Sequence, residues 1–188
     1  MSEPERIDFL VLGSGEAGKF LAWHMAKAGH RSVVVERKLI GGSCPNTNCL
    51  PSKNEIWSAK VADLVRHAER FGVVTGAAAV DMPKVLARKR DMVDGLIAMH
   101  LDLYRASGAE LIMGTGRFVA PKTIEVDLND GGRRVLTGDR VVLNVGTHTT
   151  KLCCTDQQPG EVSLRQALLH GSVIWRRGVD GIGGRARS

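Results

Sequence analysis

The feature that most constrains this chain is a glycine-rich turn between a short apolar run and a helical pattern. Residues 7–12 form the apolar run, and three glycines spaced as GxGxxG follow it directly. Residues 19–27 then place apolar side chains at helical spacing, and residues 32–36 form a second short, β-branched run. A strand, a tight turn, a helix and a second strand in this order predict a βαβ unit and therefore a parallel sheet.

Each glycine of the turn has its own physical reason. Gly13 permits the sharp turn out of the strand, Gly15 lets the backbone approach a pyrophosphate, and Gly18 allows helix and strand to pack closely. Glu36 ends the second run, where its carboxylate would accept hydrogen bonds from ribose hydroxyls. The acid favours FAD or NAD over NADP, and the pattern alone does not separate the first two. A glycine turn without a ligand is the alternative, which the surrounding strand–helix–strand order disfavours.

Composition narrows the class of protein. The chain has 188 residues, 43% hydrophobic and 24% charged, which are values typical of a globular protein. No apolar stretch reaches the roughly 18 residues that a membrane span requires, and the start of the chain lacks a secretory signal pattern, so we expect a cytoplasmic protein without a membrane partner. The net charge is +6, but basic residues do not alternate with aromatic ones, so we expect no nucleic-acid partner.

The rest of the chain predicts one domain over residues 1–150 and an irregular tail over residues 151–188. The tail contains the adjacent Cys153 and Cys154, whose role stays open. Asn129–Gly132 is a strong hairpin signal. The periodicity predicts helices over 52–71 and 81–105, a loop over 39–51, and strands over 110–114, 117–119, 123–128, 133–136 and 140–145.

Two cysteines, Cys44 and Cys49, lie in the loop after the second strand. By spacing alone, redox chemistry, metal binding and two unrelated thiols all stay open. A disulfide between them would close a very short loop and would stabilise the fold by only about 2 kcal/mol, which suits a reversible bond. Cys49 lies within one turn of a helix start, whether Ser52 caps the helix or Pro51 lies in its first turn. A helix N-terminus favours a thiolate, and Lys53 adds positive charge nearby.

Residues 41–53, with the sequence GGSCPNTNCLPSK, closely resemble the active-site signature of the FAD-dependent pyridine nucleotide–disulfide oxidoreductases. This family includes dihydrolipoamide dehydrogenase, glutathione reductase and mercuric reductase, and the first and last of these are the most similar in pattern. The resemblance extends over residues 7–149. It implies an α/β, Rossmann-like FAD-binding domain with a parallel sheet and a small antiparallel β-meander near residues 115–143.

The resemblance also implies roles for individual residues. Cys49 would lie against the flavin as a charge-transfer thiolate, and Cys44 would exchange with the substrate. Electrons would pass from NAD(P)H through FAD to the cysteine pair and then to the substrate. The substrate would be a small-molecule disulfide, a dithiol or Hg(II). No metal ligands are predicted. The FAD-binding residues would be Gly13, Ser14, Gly15, Glu16, Ala17, Gly18, Glu36, Arg37, Gly42, Ser43, Lys53, Gly116, Val145, Gly146 and Thr147.

The sequence also departs from the family pattern. Asn48 stands where the family has glycine, and Asn144–Val145 replaces an Ala-Thr pair. The family's NAD(P) and dimerisation domains have no counterpart, so we expect a truncated or frame-shifted member. Family members are homodimers, and this chain alone would not complete the catalytic cycle. The alternatives are a non-catalytic FAD-binding remnant and a stand-alone NAD-binding module.

Overall fold

The computed structural model describes residues 3–147, which divide into two compact units. Residues 3–46 and 94–147 form the first unit, and residues 47–93 form the second. The predictions for residues 148–188, including the irregular tail and Cys153–Cys154, lie outside the described residues. The elements are β1 (Glu5–Leu12), α1 (Glu16–Lys27), β2 (Ser32–Glu36), α2 (Ser43–Asn46), α3 (Cys49–Arg66), a 3-10 helix (Ala68–Phe71), α4 (Met82–Ser107), β3 (Glu110–Ala120), β4 (Thr123–Leu128) and β5 (Arg133–Leu143).

The five strands of the first unit form a closed barrel. β1 pairs in parallel with β2 and with β5, and β2 pairs in parallel with β3. β4 closes the ring because it pairs antiparallel with both β3 and β5. The two long strands, β3 and β5, each belong to the parallel sheet over one part of their length and to the meander over the other. The α/β fold with a parallel sheet and a meander is confirmed, and the closure of the ring was not predicted.

The core of the first unit has two apolar clusters, one on each face of the parallel strands. Val33 and Val35 of β2 pack in the cluster inside the barrel, and Val34 packs in the cluster beneath α1 and α4. Successive side chains of a strand point to opposite faces, and both faces of this strand are covered. This arrangement explains why β2 is a continuous apolar run.

The second unit contains α3, the 3-10 helix and the start of α4. Asp81 caps α4, since its Oδ1 accepts a hydrogen bond from the backbone N–H of Lys84 at 3.1 Å. Lys89 and Glu55 join α4 to α3 through a largely buried ion pair of 2.7 Å. Among the described residues, no helix has both the length and the apolar character that a membrane crossing requires.

The prediction was wrong at the boundaries of the loop and of α3. Residues 39–51 were predicted to be a loop, but α2 occupies part of this segment and α3 begins at Cys49. Asn48 is the N-cap residue of α3, so Pro51 lies in the first turn and Ser52 does not cap the helix. The Ser52 hydroxyl instead donates a hydrogen bond to the Asn48 carbonyl at 2.6 Å. α3 also ends earlier than predicted, and the 3-10 helix follows it.

Candidate functional site

The GxGxxG segment that joins β1 to α1 requires glycine at both of its ends. Gly13 has a φ of +98°, and a Cβ built there would lie 2.2 Å from the backbone oxygen of Asn144. A Cβ at Gly18 would lie 2.8 Å from Cγ1 of Val11 on β1. The structure therefore gives Gly13 the turn geometry and Gly18 the close helix–strand packing that were expected from the GxGxxG pattern.

The middle glycine lies at the start of α1, where a helix presents N–H groups that have no partner within the helix. Gly15 is the N-cap residue, and a Cβ there would lie 2.9 Å from Nδ2 of Asn144. Gly42 covers the same turn, since a Cβ on it would lie 2.6 Å from the Cα of Gly15. These close approaches of bare backbone at a helix N-terminus fit the pyrophosphate of a dinucleotide. Glu16 and Ala17, the first two residues of α1, are exposed.

Glu36, at the end of β2, is held by four hydrogen bonds. Its Oε2 accepts from the backbone N–H and the hydroxyl of Ser14, at 2.9 and 2.7 Å. Its Oε1 accepts from the backbone N–H groups of Lys38 and Leu39, at 2.8 and 3.0 Å. Burial raises the pKa of this carboxyl group, but the four donors outweigh burial and leave the pKa below its ordinary value. Glu36 is therefore an ionised acceptor beside the glycine turn.

Ser14 gives this acceptor a way to accommodate a ribose hydroxyl. A carboxylate has about four acceptor positions, and the four donors occupy them. The single hydroxyl proton of Ser14 has a second acceptor within reach, the Leu39 carbonyl oxygen at 3.2 Å. Rotation of the hydroxyl toward Leu39 would free one position on Oε2 of Glu36. The residues present thus fit an adenosine ribose at this point.

The other predicted binding residues lie at several places in the first unit. Gly116 is in β3, where a Cβ would lie 2.6 Å from Cδ1 of Leu12, so its lack of a side chain serves core packing. Arg37 and Ser43 are exposed. Val145, Gly146 and Thr147 follow β5 and are exposed as well. Their roles toward FAD stay predictions.

The two cysteines belong to different units. Cys44 is half-buried in α2 of the first unit, and Cys49 is exposed as the first residue of α3 in the second unit. Lys53 is exposed in α3. The predicted redox pair and the predicted role of Lys53 therefore stay predictions.

The structure adds three residues that were not predicted for the site. Asn144 donates a hydrogen bond from Nδ2 to the Gly13 carbonyl at 3.3 Å, and its side chain lies against Gly15 and Gly18. The sequence signal that could have pointed to Asn144 is that Asn144–Val145 replaces the family's Ala-Thr pair. Lys19 and His100 form a buried contact beside the turn. No sequence pattern links these two, because they come from distant parts of the chain.

Comparison with known proteins adds to this geometry. The family model "Pyridine nucleotide-disulphide oxidoreductase" matches residues 7–172. A dihydrolipoyl dehydrogenase from Vibrio cholerae is 32% identical over 153 residues, which are 81% of this chain and 32% of the relative. One from Mycobacterium bovis is 31% identical over 163 residues, which are 86% of this chain and 35% of the relative. The chain spans about a third of the length of the curated relatives it matches.

A solved structure, the Cu(II) complex of the HOCl-induced flavoprotein disulfide reductase RclA from Escherichia coli, has a similar fold. The TM-score is 0.62 at 24% identity, and the match covers 79% of this chain and 30% of that chain. Together, the fold and the glycine turn define the class of this protein as a Rossmann-like dinucleotide-binding domain.

The match over residues 7–172 identifies the family more closely. The chain belongs to the pyridine nucleotide–disulfide oxidoreductases and matches their N-terminal part. Members are oxidoreductases that depend on FAD and use NAD(P)H, so the family and the cofactor class expected from residues 41–53 are confirmed.

Proposed function

We propose that this chain is the FAD-binding and redox-cysteine part of a flavoprotein disulfide oxidoreductase. The observation that carries the proposal is the glycine turn: Gly42 lies on Gly15 at the start of α1, with the ionised Glu36 beside it. FAD bound there would supply a two-electron acceptor and donor. Gly13, Gly15 and Gly18 would hold its pyrophosphate, and Glu36 would hold its adenosine ribose.

The cysteine pair would carry the same two electrons to the substrate. Reduction of a Cys44–Cys49 disulfide takes up two electrons and two protons and gives two thiols. Thiol–disulfide exchange with a substrate disulfide then returns the pair to the oxidised form and releases a dithiol. NAD(P)H is the source of the electrons in this scheme, and each hydride that it transfers supplies both of them.

The names of the relatives support a small-molecule disulfide of the lipoyl type as the substrate, and Hg(II) is the alternative. The chain spans about a third of its relatives' length, so turnover and a homodimeric assembly are proposed for an enzyme of this type as a whole. A cytoplasmic location is part of the same proposal. FAD binding, in contrast, is proposed for this chain on its own.

Titration of the purified chain with FAD tests the proposal directly. We expect saturable quenching of flavin fluorescence, and the same titration with NAD separates a flavoprotein from an NAD-binding module. Saturation by NAD but not by FAD would contradict the proposal.

A second experiment tests the cysteine pair. Reduction of the FAD-loaded chain with a dithiol should produce a long-wavelength charge-transfer band. Cys49→Ala should abolish that band, because it removes the thiolate that would face the flavin. Cys44→Ala is the matched control, which should keep a thiolate at residue 49 and therefore a band. A band that survives in Cys49→Ala would refute the assigned roles.

A further inference from the structure

A buried cation lies one turn into α1, directly after the glycine turn. The Lys19 side chain is 2% exposed, and its Nζ lies 2.7 Å from Oε1 of Glu16 and 2.7 Å from Nε2 of His100. The Gly41 carbonyl oxygen lies 3.5 Å from the same atom. An ammonium group has three protons to donate, and here it has three acceptors.

Hydrogen bonding fixes the tautomer of His100. Its Nδ1 lies 2.6 Å from the backbone carbonyl oxygen of Leu96, and a carbonyl oxygen only accepts, so Nδ1 carries a proton. Nε2 therefore presents its lone pair to Lys19 when the imidazole is neutral. Burial lowers the pKa of His100 below its ordinary value, and the Lys19 charge acts in the same direction, against the Leu96 hydrogen bond and Glu16. Burial and the Lys19 charge therefore favour the neutral imidazole ring.

His100 lies against the turn that leads to Cys44. A Cβ built on Gly41 would lie 3.1 Å from Cε1 of His100. The Gly41 N–H donates a hydrogen bond to the Ser14 hydroxyl oxygen at 2.9 Å. The next residue, Gly42, lies on the Gly15 turn. Lys19, His100 and Ser14 thus all contact Gly41, the residue before the one that covers the proposed pyrophosphate site.

We propose that Lys19 is a positioning residue for cofactor binding: it fixes the His100 ring, which in turn keeps the Gly41–Gly42 turn against the pyrophosphate site. This inference rests on the proposed function, since it concerns FAD affinity. A buried ion needs partners to offset its desolvation, and removing one member of an ion pair is costly for stability when the other charge is left buried. Here the charged partner, Glu16, is half exposed, so an apolar residue of similar volume at position 19 leaves no buried charge unpaired. The role of Lys19 should therefore be visible in FAD affinity more than in the stability of the unliganded chain.

The experiment compares the dissociation constants for FAD of the wild-type chain, Lys19→Met and Lys27→Met. The control removes an exposed lysine from the last turn of the same helix. We expect Lys19→Met to weaken FAD binding about tenfold, on the scale of one lost charge-assisted hydrogen bond, and Lys27→Met to bind as wild type. Equal affinities of Lys19→Met and Lys27→Met would overturn the inference and leave the proposed function standing. No FAD binding by wild type would overturn both.

Two variants of His100 test the same contact without removing the lysine. His100→Gln keeps an acceptor near the position of Nε2 but does not titrate, and His100→Leu removes the acceptor. We expect wild-type affinity near neutral pH for the first and weaker binding for the second. Equal binding by the two variants would overturn the inference, and this comparison decides the matter if Lys19→Met fails to fold.

The pH profile of FAD affinity separates positioning from a merely structural role. In the described part of the chain, Lys19 and Glu16 on α1 are the charged groups that act on His100, and Tyr104 lies four residues further along α4. Protonation of His100 removes the acceptor and places a second cation opposite Lys19. Wild-type affinity should therefore fall as pH decreases through the lowered pKa of His100, and His100→Gln should lack this step. An identical low-pH profile for both proteins would overturn the inference.

Discussion

Gly42→Ala is the change that most directly tests how the site is built. Gly42 has a φ of +79°, which L side chains rarely adopt, and its added Cβ would lie 2.6 Å from the Cα of Gly15. Because that atom belongs to the backbone of the turn, a side-chain rotation cannot relieve the contact. The two segments must separate until the atoms reach the 3.4 Å at which ordinary contact begins.

The expected cost follows from two separate effects. An L residue held in the left-handed region costs about 1–2 kcal/mol. Forcing an extra methyl group into a packed position costs a further 1–3 kcal/mol, roughly. We therefore expect Gly42→Ala to lower the free energy of unfolding by about 2–5 kcal/mol. FAD affinity should fall as well, because the turn that would hold the pyrophosphate is displaced.

Two other glycines of the first unit separate these effects. Gly29 has a φ of +90° but no atom within 4 Å of an added Cβ, so Gly29→Ala should cost only the backbone part, about 1–2 kcal/mol. Gly95 lies inside α4 without a positive φ or a close neighbour, so Gly95→Ala should stabilise the chain by about 0.5–1 kcal/mol. Urea unfolding followed by circular dichroism, together with FAD titration, measures all three. Equal losses in Gly42→Ala and Gly29→Ala would refute the packing argument.

Two further changes test Glu36 and the cap of α4. The pKa of Glu36 is lowered on folding, so its stabilisation is complete above the unfolded value near 4.5 and disappears as pH falls through the lower folded value. Thermal unfolding between neutral and acidic pH should show a shallower acid dependence for Glu36→Gln, and an unchanged dependence would contradict the hydrogen-bonding account. Asp81→Ala should lower the free energy of unfolding by about 1 kcal/mol, as for loss of an N-cap, whereas Asp81→Asn should retain most of it. Urea unfolding of the two variants measures this difference, and equal losses would show that the side-chain cap contributes nothing.

Local signals predicted those parts of the fold whose causes lie within a few residues. The βαβ order and the hairpin at Asn129–Gly132 each depend on neighbouring side chains and backbone angles. The short helix α2 was missed because four residues are too few to show a helical period. The closure of the barrel was missed because the pairing of β5 with β1 joins residues at opposite ends of the described chain.

The departure at Asn48 shows how a family pattern and backbone geometry complement each other. The family has glycine at this position. Here Asn48 has a φ of −121° and serves as the N-cap residue of α3, so its φ does not call for glycine. The substitution therefore leaves Cys49 at the start of a helix. The redox interpretation likewise puts Cys49 beside a helix start.

The proposed nucleotide site lies at one edge of the sheet, where segments from distant parts of the chain come together. Leu12 of β1 pairs with Val35 of β2 and with Leu143 of β5, so the three parallel strands end together. The residues that follow these ends include Gly13, which starts the glycine turn, and Asn144, which packs against it. Ligands of α/β sheets bind outside the carboxyl ends of the strands. There the Asn144 side chain packs against Gly15 and Gly18 and donates a hydrogen bond to the Gly13 carbonyl. The replacement of the family's Ala-Thr pair and the tight glycine turn are therefore packed against each other.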